Sequence, residues 1–174
     1  MDDRQNTVQP PQKRQECDTT NSVCSTKENP LIHQTISKWH DYMRGNLANG
    51  LDDLLDDDVI FYSPVLFAPQ IGKDLTSLYL TAATQVFPGD QAGTSPDKAS
   101  SKGSFRYVKE IIQHPTAVLE FETTIDGKSV NGIDMITVND EGKIIEFKVM
   151  IRPLSAINVI KERMMVMLET LNKN

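Results

Sequence analysis

Within the apolar run Val130–Val138 (VNGIDMITV) stands a single carboxylate, Asp134. In a strand the side chains alternate between faces, so Asp134 shares a face with Val130, Gly132, Ile136 and Val138. A carboxylate in such surroundings must accept hydrogen bonds, line a wet cavity or keep its proton, because an unpaired charge away from water is costly. The chemistry this offers is general acid/base catalysis: a carboxylic acid with a raised pKa can protonate a carbonyl near neutral pH. The competing reading is structural, with Asp134 bonded to a local backbone N–H or to Trp39 and no ligand involved.

Other reactive side chains suggest less. His33 and His40 lie two helical turns apart, too far to share a metal without outside help. Asp52, Asp53, Asp56, Asp57 and Asp58 lack calcium-loop spacing and read as a solvated face. Cys17 and Cys24 sit in a polar leader where a bridge would staple no core, so they read as unpaired thiols. Tyr62, Phe67, Tyr79 and Phe87 are candidates for a pocket mouth or for core. Arg152 is placed to anchor the C-terminal helix or to meet an acidic ligand. No nucleophile with its base, glycine-rich phosphate loop or zinc spacing occurs, and neither a cofactor nor a metal is expected.

The elements that must position Asp134 follow from periodicity. Residues 1–28 hold almost no large apolar side chain and are expected to be a disordered tail, leaving 29–174 as one domain. Asn29-Pro30 opens a helix whose Ile32, Ile36, Trp39 and Met43 share a face. Leu47, Leu51, Leu54 and Leu55 predict a second helix, and Val59–Tyr62 a short strand stopped by Ser63-Pro64. A third helix is expected over Asp74–Phe87, with Leu75, Leu78, Tyr79, Ala82 and Val86 on one side. The breaker-rich stretch 88–103 reads either as a functional cover or as a mobile loop. Strands over Phe105–Ile112, Thr116–Ile125, Lys128–Val138 and Lys143–Arg152, joined by short turns, make an antiparallel meander, and a helix over Leu154–Leu171 ends the chain. Helices, then sheet, then helix is an α+β order.

Two hairpins set the register. Asp126-Gly127 is a two-residue turn signal that pairs Ile125 with Lys128, and hence Phe121 with Gly132 and Leu119 with Asp134. If Asn139–Gly142 is a four-residue loop, Asp134 faces Phe147, Gly132 faces Val149 and Ile136 faces Ile145. Asp134 then lies among Leu119, Phe121, Ile136, Phe147 and Val149. A type I turn with a glycine bulge at Gly142 would instead slip one residue and bring Lys148 opposite Asp134. The other face, with Glu120, Glu122, Asn131, Ile133, Met135, Glu146, Lys148 and Met150, suits solvent or a subunit interface, and the methionines of the last helix suit either pocket closure or a second subunit.

Net charge is minus 6 over 174 residues with 39% hydrophobic residues, which gives enough apolar material for a core and no basic footprint for nucleic acid. No stretch approaches the roughly 20 apolar residues of a membrane span, so neither nucleic acid nor membrane is an expected partner and a cytoplasmic location is expected.

The succession Leu51–Leu55, Val59–Tyr62, Ser63-Pro64-Val65, Gly72-Lys73, Gly132-Ile133-Asp134 and Gly142-Lys143-Ile144-Ile145 resembles the nuclear transport factor 2-like superfamily, with SnoaL-like proteins the nearest look. The resemblance implies a cone-shaped α+β fold whose curved sheet encloses an apolar pocket. Compared with ketosteroid isomerase, the position of the base before the proline is Ser63, which cannot act as a carboxylate base; the oxyanion-hole tyrosine resembles Trp39; and the buried carboxylic acid resembles Asp134. Compared with SnoaL-like polyketide cyclases, Asp134 resembles the pocket-strand acid/base. A limonene-type epoxide hydrolase would need an Asp, Arg, Asp set in which Arg106 could serve, but a second aspartate is missing.

Two functions are therefore expected to compete. One is a cofactor-independent cyclase or isomerase of a small hydrophobic oxygenated molecule, with Asp134 catalytic and Trp39, Tyr62, Phe67, Leu119, Phe121, Ile136, Phe147 and Val149 binding the ligand. The other is a non-catalytic binding or homodimerisation module of the same fold.

Overall fold

The computed structural model describes residues 30–87 and 105–171. The expectations for the tail, for Cys17 and Cys24 and for the 88–103 stretch lie outside the described residues. Helix α1 (Pro30–Met43) buries Ile32, Ile36 and Trp39 along the face that their spacing defines. A single 3-10 turn, Gly50–Asp53, replaces the expected second helix. Leu51, Leu54 and Leu55 are buried as expected, but Leu55 already begins strand β1 (Leu55–Tyr62). Four residues are too few to repay helix nucleation, and the buried leucines are held by tertiary packing instead.

Strand β2 (Gln70–Ile71) is a short edge, and helix α2 (Lys73–Val86) follows. The buried face of α2 is Thr76, Leu80, Ala82 and Val86, with Leu75 38% exposed; the helix is rotated from the expected face because it packs on both β1 and the last helix. Strands β3 (Arg106–Gln113), β4 (Thr116–Ile125), β5 (Lys128–Val138) and β6 (Ile144–Arg152) then form the meander, and α3 (Leu154–Leu171) closes the chain. The sheet order is β2-β1-β6-β5-β4-β3, with β1 parallel to β6 and every other pair antiparallel. The architecture is α+β, a curved open sheet with helices on its inner face.

The first hairpin has the expected register: Ile125 pairs with Lys128, Phe121 with Gly132 and Leu119 with Asp134. Asp126 and Gly127 both take positive φ (50° and 74°), the primed turn that matches strand twist. The second hairpin differs. Gly142 is left-handed (φ 79°), and Asn139 N–H donates to the Lys143 carbonyl at 2.9 Å, so the turn has the glycine bulge and slips one residue. A second irregularity between Thr137 and Val138 leaves Ile145 unpaired, since Val138 meets Ile144 while Thr137 meets Glu146. The two slips add to two residues. Asp134 therefore faces Val149 rather than Phe147, and Lys148 does not oppose it but pairs with Met135 on the outer face. Because the side-chain period is two, a double slip restores the apolar face to the inside.

Inside, β4 and β5 bury alternate residues along their lengths. Phe121 and Phe147 are both buried, and each contributes about 1.5–3 kcal/mol by burial. Phe121 lies across Gly132. A Cβ at Gly132 would fall on the Phe121 ring and 2.7 Å from the Met150 carbonyl oxygen. Gly132→Ala is therefore expected to cost about 1–3 kcal/mol, read as a lower midpoint in thermal or urea denaturation. Adding Phe121→Leu should recover part of that loss; a Gly132→Ala chain as stable as wild type would remove the steric argument.

Candidate functional site

The cone encloses a cavity lined by residues of α1, β1, α2, the inner face of β4–β6 and α3. Its enclosed room is about 60 Å³, and the recess with its mouth is about 620 Å³. Asp134 is the one carboxylate among the lining residues and is 6% exposed. Tyr107 Oη donates to Asp134 Oδ2 at 2.7 Å, and Trp39 Nε1 donates to Tyr107 Oη at 2.8 Å. Among the described residues no donor reaches Oδ1. A chain of two hydrogen bonds thus runs from the buried indole through the phenol to the carboxyl.

Burial pushes the Asp134 carboxyl up to about 7, against the smaller lowering effect of the Tyr107 hydrogen bond. Burial, and after it the charge of Asp134, pushes the Tyr107 phenol well above its ordinary range, so the phenol keeps its proton. Near neutrality the site can present Asp134 either as a proton donor or as an acceptor. Its surroundings are apolar, which strengthens any hydrogen bond made there.

Trp39, Phe121, Asp134, Phe147 and Val149 line the cavity together. Leu119 and Ile136 are fully buried beneath the lining and do not reach it. Tyr62 turns to the outer side of β1, where Lys148 Nζ lies 4.5 Å from its ring centre, and Phe67 is fully exposed on the loop after β1. Neither lines the cavity. Phe61 takes the inward position instead, and the lining also includes Ser63, Tyr79, Phe87 and Phe105. Alternation explains the exchange of Tyr62 for Phe61 once Leu55 belongs to the strand.

Tyr107 is the residue that strand periodicity misses. From Gln113 to Lys109 the β3–β4 pairing is regular, and continuing it would place Val108 opposite Phe121 and Tyr107 on the outer face. A bulge at Val108 pairs Tyr107 with Phe121 instead and swings the phenol inward. Nothing in the local sequence marks that bulge.

The remaining candidates are accounted for. His40 Nε2 lies 3.0 Å from Glu110 Oε1, and among the described residues no group of His, Cys, Asp and Glu could hold a metal. Asp57 pairs with Lys73 at 2.5 Å, and Asp56 accepts from Asn139 at 3.0 Å. Arg152 donates to Asn131 at 2.6 Å on the neighbouring strand, neither anchoring α3 nor facing the cavity. Arg106 pairs with Glu122 at 2.8 Å on the exposed side, so the arginine of an epoxide hydrolase set is absent from the cavity.

The carboxyl of Asp134 binds its proton more tightly in the folded chain (about 7) than at its ordinary value of 3.8. Its contribution is therefore favourable in acid, falls as pH rises from about 4 to about 7, and is constant above. Relative to Asp134→Asn, wild type should lose on the order of 2–4 kcal/mol between pH 4.5 and pH 8, measured by urea denaturation at both. A difference independent of pH would contradict a raised carboxyl. Tyr107→Phe, which removes the one lowering influence, should move the Asp134 titration upward in carboxyl-carbon NMR.

No protein-family model matches the sequence, and no curated protein matches it. Solved structures do. A steroid delta-isomerase from Pseudomonas aeruginosa is 28% identical, with a TM-score of 0.70 over 83% of this chain and 96% of its own. An uncharacterised protein with a cystatin-like fold from Silicibacter pomeroyi is 26% identical, with a TM-score of 0.63 over 78% and 85% of the two chains. An NTF2-like protein of unknown function from Mesorhizobium loti, 16% identical with a TM-score of 0.54 over 71% and 92%, shares the fold. Together with its curved open sheet, these matches show that the chain has the α+β cone fold of nuclear transport factor 2-like proteins.

Proposed function

We propose that this protein binds a small hydrophobic molecule bearing a carbonyl or similar oxygen, with protonated Asp134 donating a hydrogen bond to that oxygen. The observation that carries this reading is the Asp134 carboxyl on the cavity wall, with Oδ2 held by Tyr107 and Oδ1 given no donor by the described residues. The reaction that suits it is a cofactor-independent isomerisation or cyclisation in which Asp134 transfers the proton and the cavity walls fix the reacting geometry. The Pseudomonas aeruginosa relative is named a steroid delta-isomerase.

Ser63 favours a second reading. It lines the cavity where the ketosteroid isomerase resemblance calls for a carboxylate, and its hydroxyl accepts the Val65 N–H at 3.2 Å. With no second carboxylate among the described lining residues, such a site can bind an oxygenated ligand without turning it over. Pairing of two copies is the other use this reading allows, on the outer sheet face, where Ile111 is 59% and Met150 53% exposed.

Calorimetry with cyclohexenone tests the binding reading. Affinity is expected to be higher at pH 5 than at pH 9, because the donor is lost as Asp134 ionises near pH 7. Asp134→Asn, which keeps an N–H donor, should bind with no such dependence, and Asp134→Leu should not bind. Wild-type affinity that is flat across this range would defeat the proposal. Catalysis is tested separately: wild type should speed exchange of the proton next to the carbonyl in heavy water relative to Asp134→Asn, whereas equal rates leave binding alone.

A further inference from the structure

The rings that line the cavity fall into two groups. In the first, Phe105 stacks on Phe121 with centroids 5.0 Å apart and planes 29° apart, and Phe87 meets them edge-on at 6.0 and 5.9 Å. In the second, Phe147 meets Trp39 at 4.8 Å and Phe61 at 6.1 Å. Among the described residues no ring of one group is in contact with a ring of the other. The hydrogen bonds from Trp39 through Tyr107 to Asp134 bridge the two. The result is a slot with aromatic walls and, among the described residues, one carboxyl group.

The slot is narrow. Its enclosed room of about 60 Å³ is below the roughly 150 Å³ of a cavity that holds benzene. A ligand therefore enters only where a wall yields. Phe121 is poorly placed to yield, since it is 2% exposed and its ring already occupies the space over Gly132. Phe105, half-buried at the residue before β3 and lying on Phe121, is the wall that can turn aside. One planar ring needs a displacement of that size, and a fused multi-ring skeleton needs the stack removed.

We infer that the site takes single-ring, flat molecules carrying one carbonyl or phenolic oxygen, and that the Phe105–Phe121 stack excludes larger fused-ring molecules. The inference rests on the binding reading above and adds its size limit. Flat rings gain by offset or edge-on contact with both walls while the oxygen reaches Asp134.

Cyclohexenone and phenol, naphthol and progesterone serve as one-, two- and four-ring probes, followed by calorimetry and by the emission of Trp39, the chain's single tryptophan. Wild type is expected to bind the one-ring probes saturably and to show no progesterone binding up to its solubility. Phe105→Ala should strengthen progesterone or naphthol binding by about tenfold or more. Phe105→Leu, which disturbs folding less, should shift preference in the same direction. Wild type binding progesterone as tightly as cyclohexenone would overturn the size limit; loss of that binding in Asp134→Leu would show the binding reading intact. Unchanged preference in both Phe105 variants would also overturn it. If no probe of any size bound wild type, the binding reading and the size limit would fall together.

Discussion

A carboxyl group surrounded by aromatic and aliphatic side chains persists only if something compensates its lost hydration, and in this protein the compensation is the phenol of Tyr107. That hydrogen bond, 2.7 Å long and itself backed by the indole of Trp39, joins β5 to β3 and α1 across the interior of the cone. It ties these three elements to one polar point on the cavity wall. It also distinguishes the two oxygens of the carboxyl: Oδ2 is fixed by Tyr107, and among the described residues no donor reaches Oδ1. Burial outweighs the hydrogen bond, which is why the group titrates near neutrality instead of in acid.

The aromatic walls depend on backbone irregularities more than on the residues' own preference for burial. Gly132 has no side chain, so Phe121 can lie across β5 beside the carboxyl rather than project into the cavity. The bulge at Val108 turns Tyr107 inward, and the paired irregularities at Gly142 and Ile145 keep Phe147, Val149 and Ile151 facing the interior. Bulges add twist and bend, and a strongly curved sheet is what permits a cone with three helices over its inner face. The hairpin tip is held in turn by α1: Thr35 Oγ1 donates to the Gly142 carbonyl at 2.6 Å.

This arrangement separates the shared fold from the chemistry it hosts. The curved-sheet fold is common ground with the Pseudomonas aeruginosa structure, and among the described residues that line the cavity Asp134 is the one carboxylate, with Ser63 and close aromatic rings beside it. The fold by itself leaves the chemistry open, and what the site offers is one acid in apolar surroundings. The surface acids differ: Asp56 accepts from Asn139 and Asp57 pairs with Lys73 at the solvent boundary, where such contacts add little to stability.

Local sequence determined a good deal of this protein. Hydrophobic period and turn chemistry located β4, β5 and α3 at their observed bounds, fixed the Asp126-Gly127 register, and set Asp134 opposite Leu119 on a buried face. These features depend on neighbours a few residues away, where alternation and a two-residue turn leave little freedom. The second hairpin required more, because its turn and the bulge at Ile145 each shift the register by one and only their sum preserves the inward face. The partner of Asp134 required most. Tyr107 reaches the carboxyl from a strand two places away in the sheet through a bulge with no local signature, and Tyr62 and Phe67 face outward for reasons of strand length and loop path. Period-two reasoning carries information along a regular strand, but a single unpaired residue reverses it, and whether that residue is tolerated is decided by the packing of α1 and the sheet together.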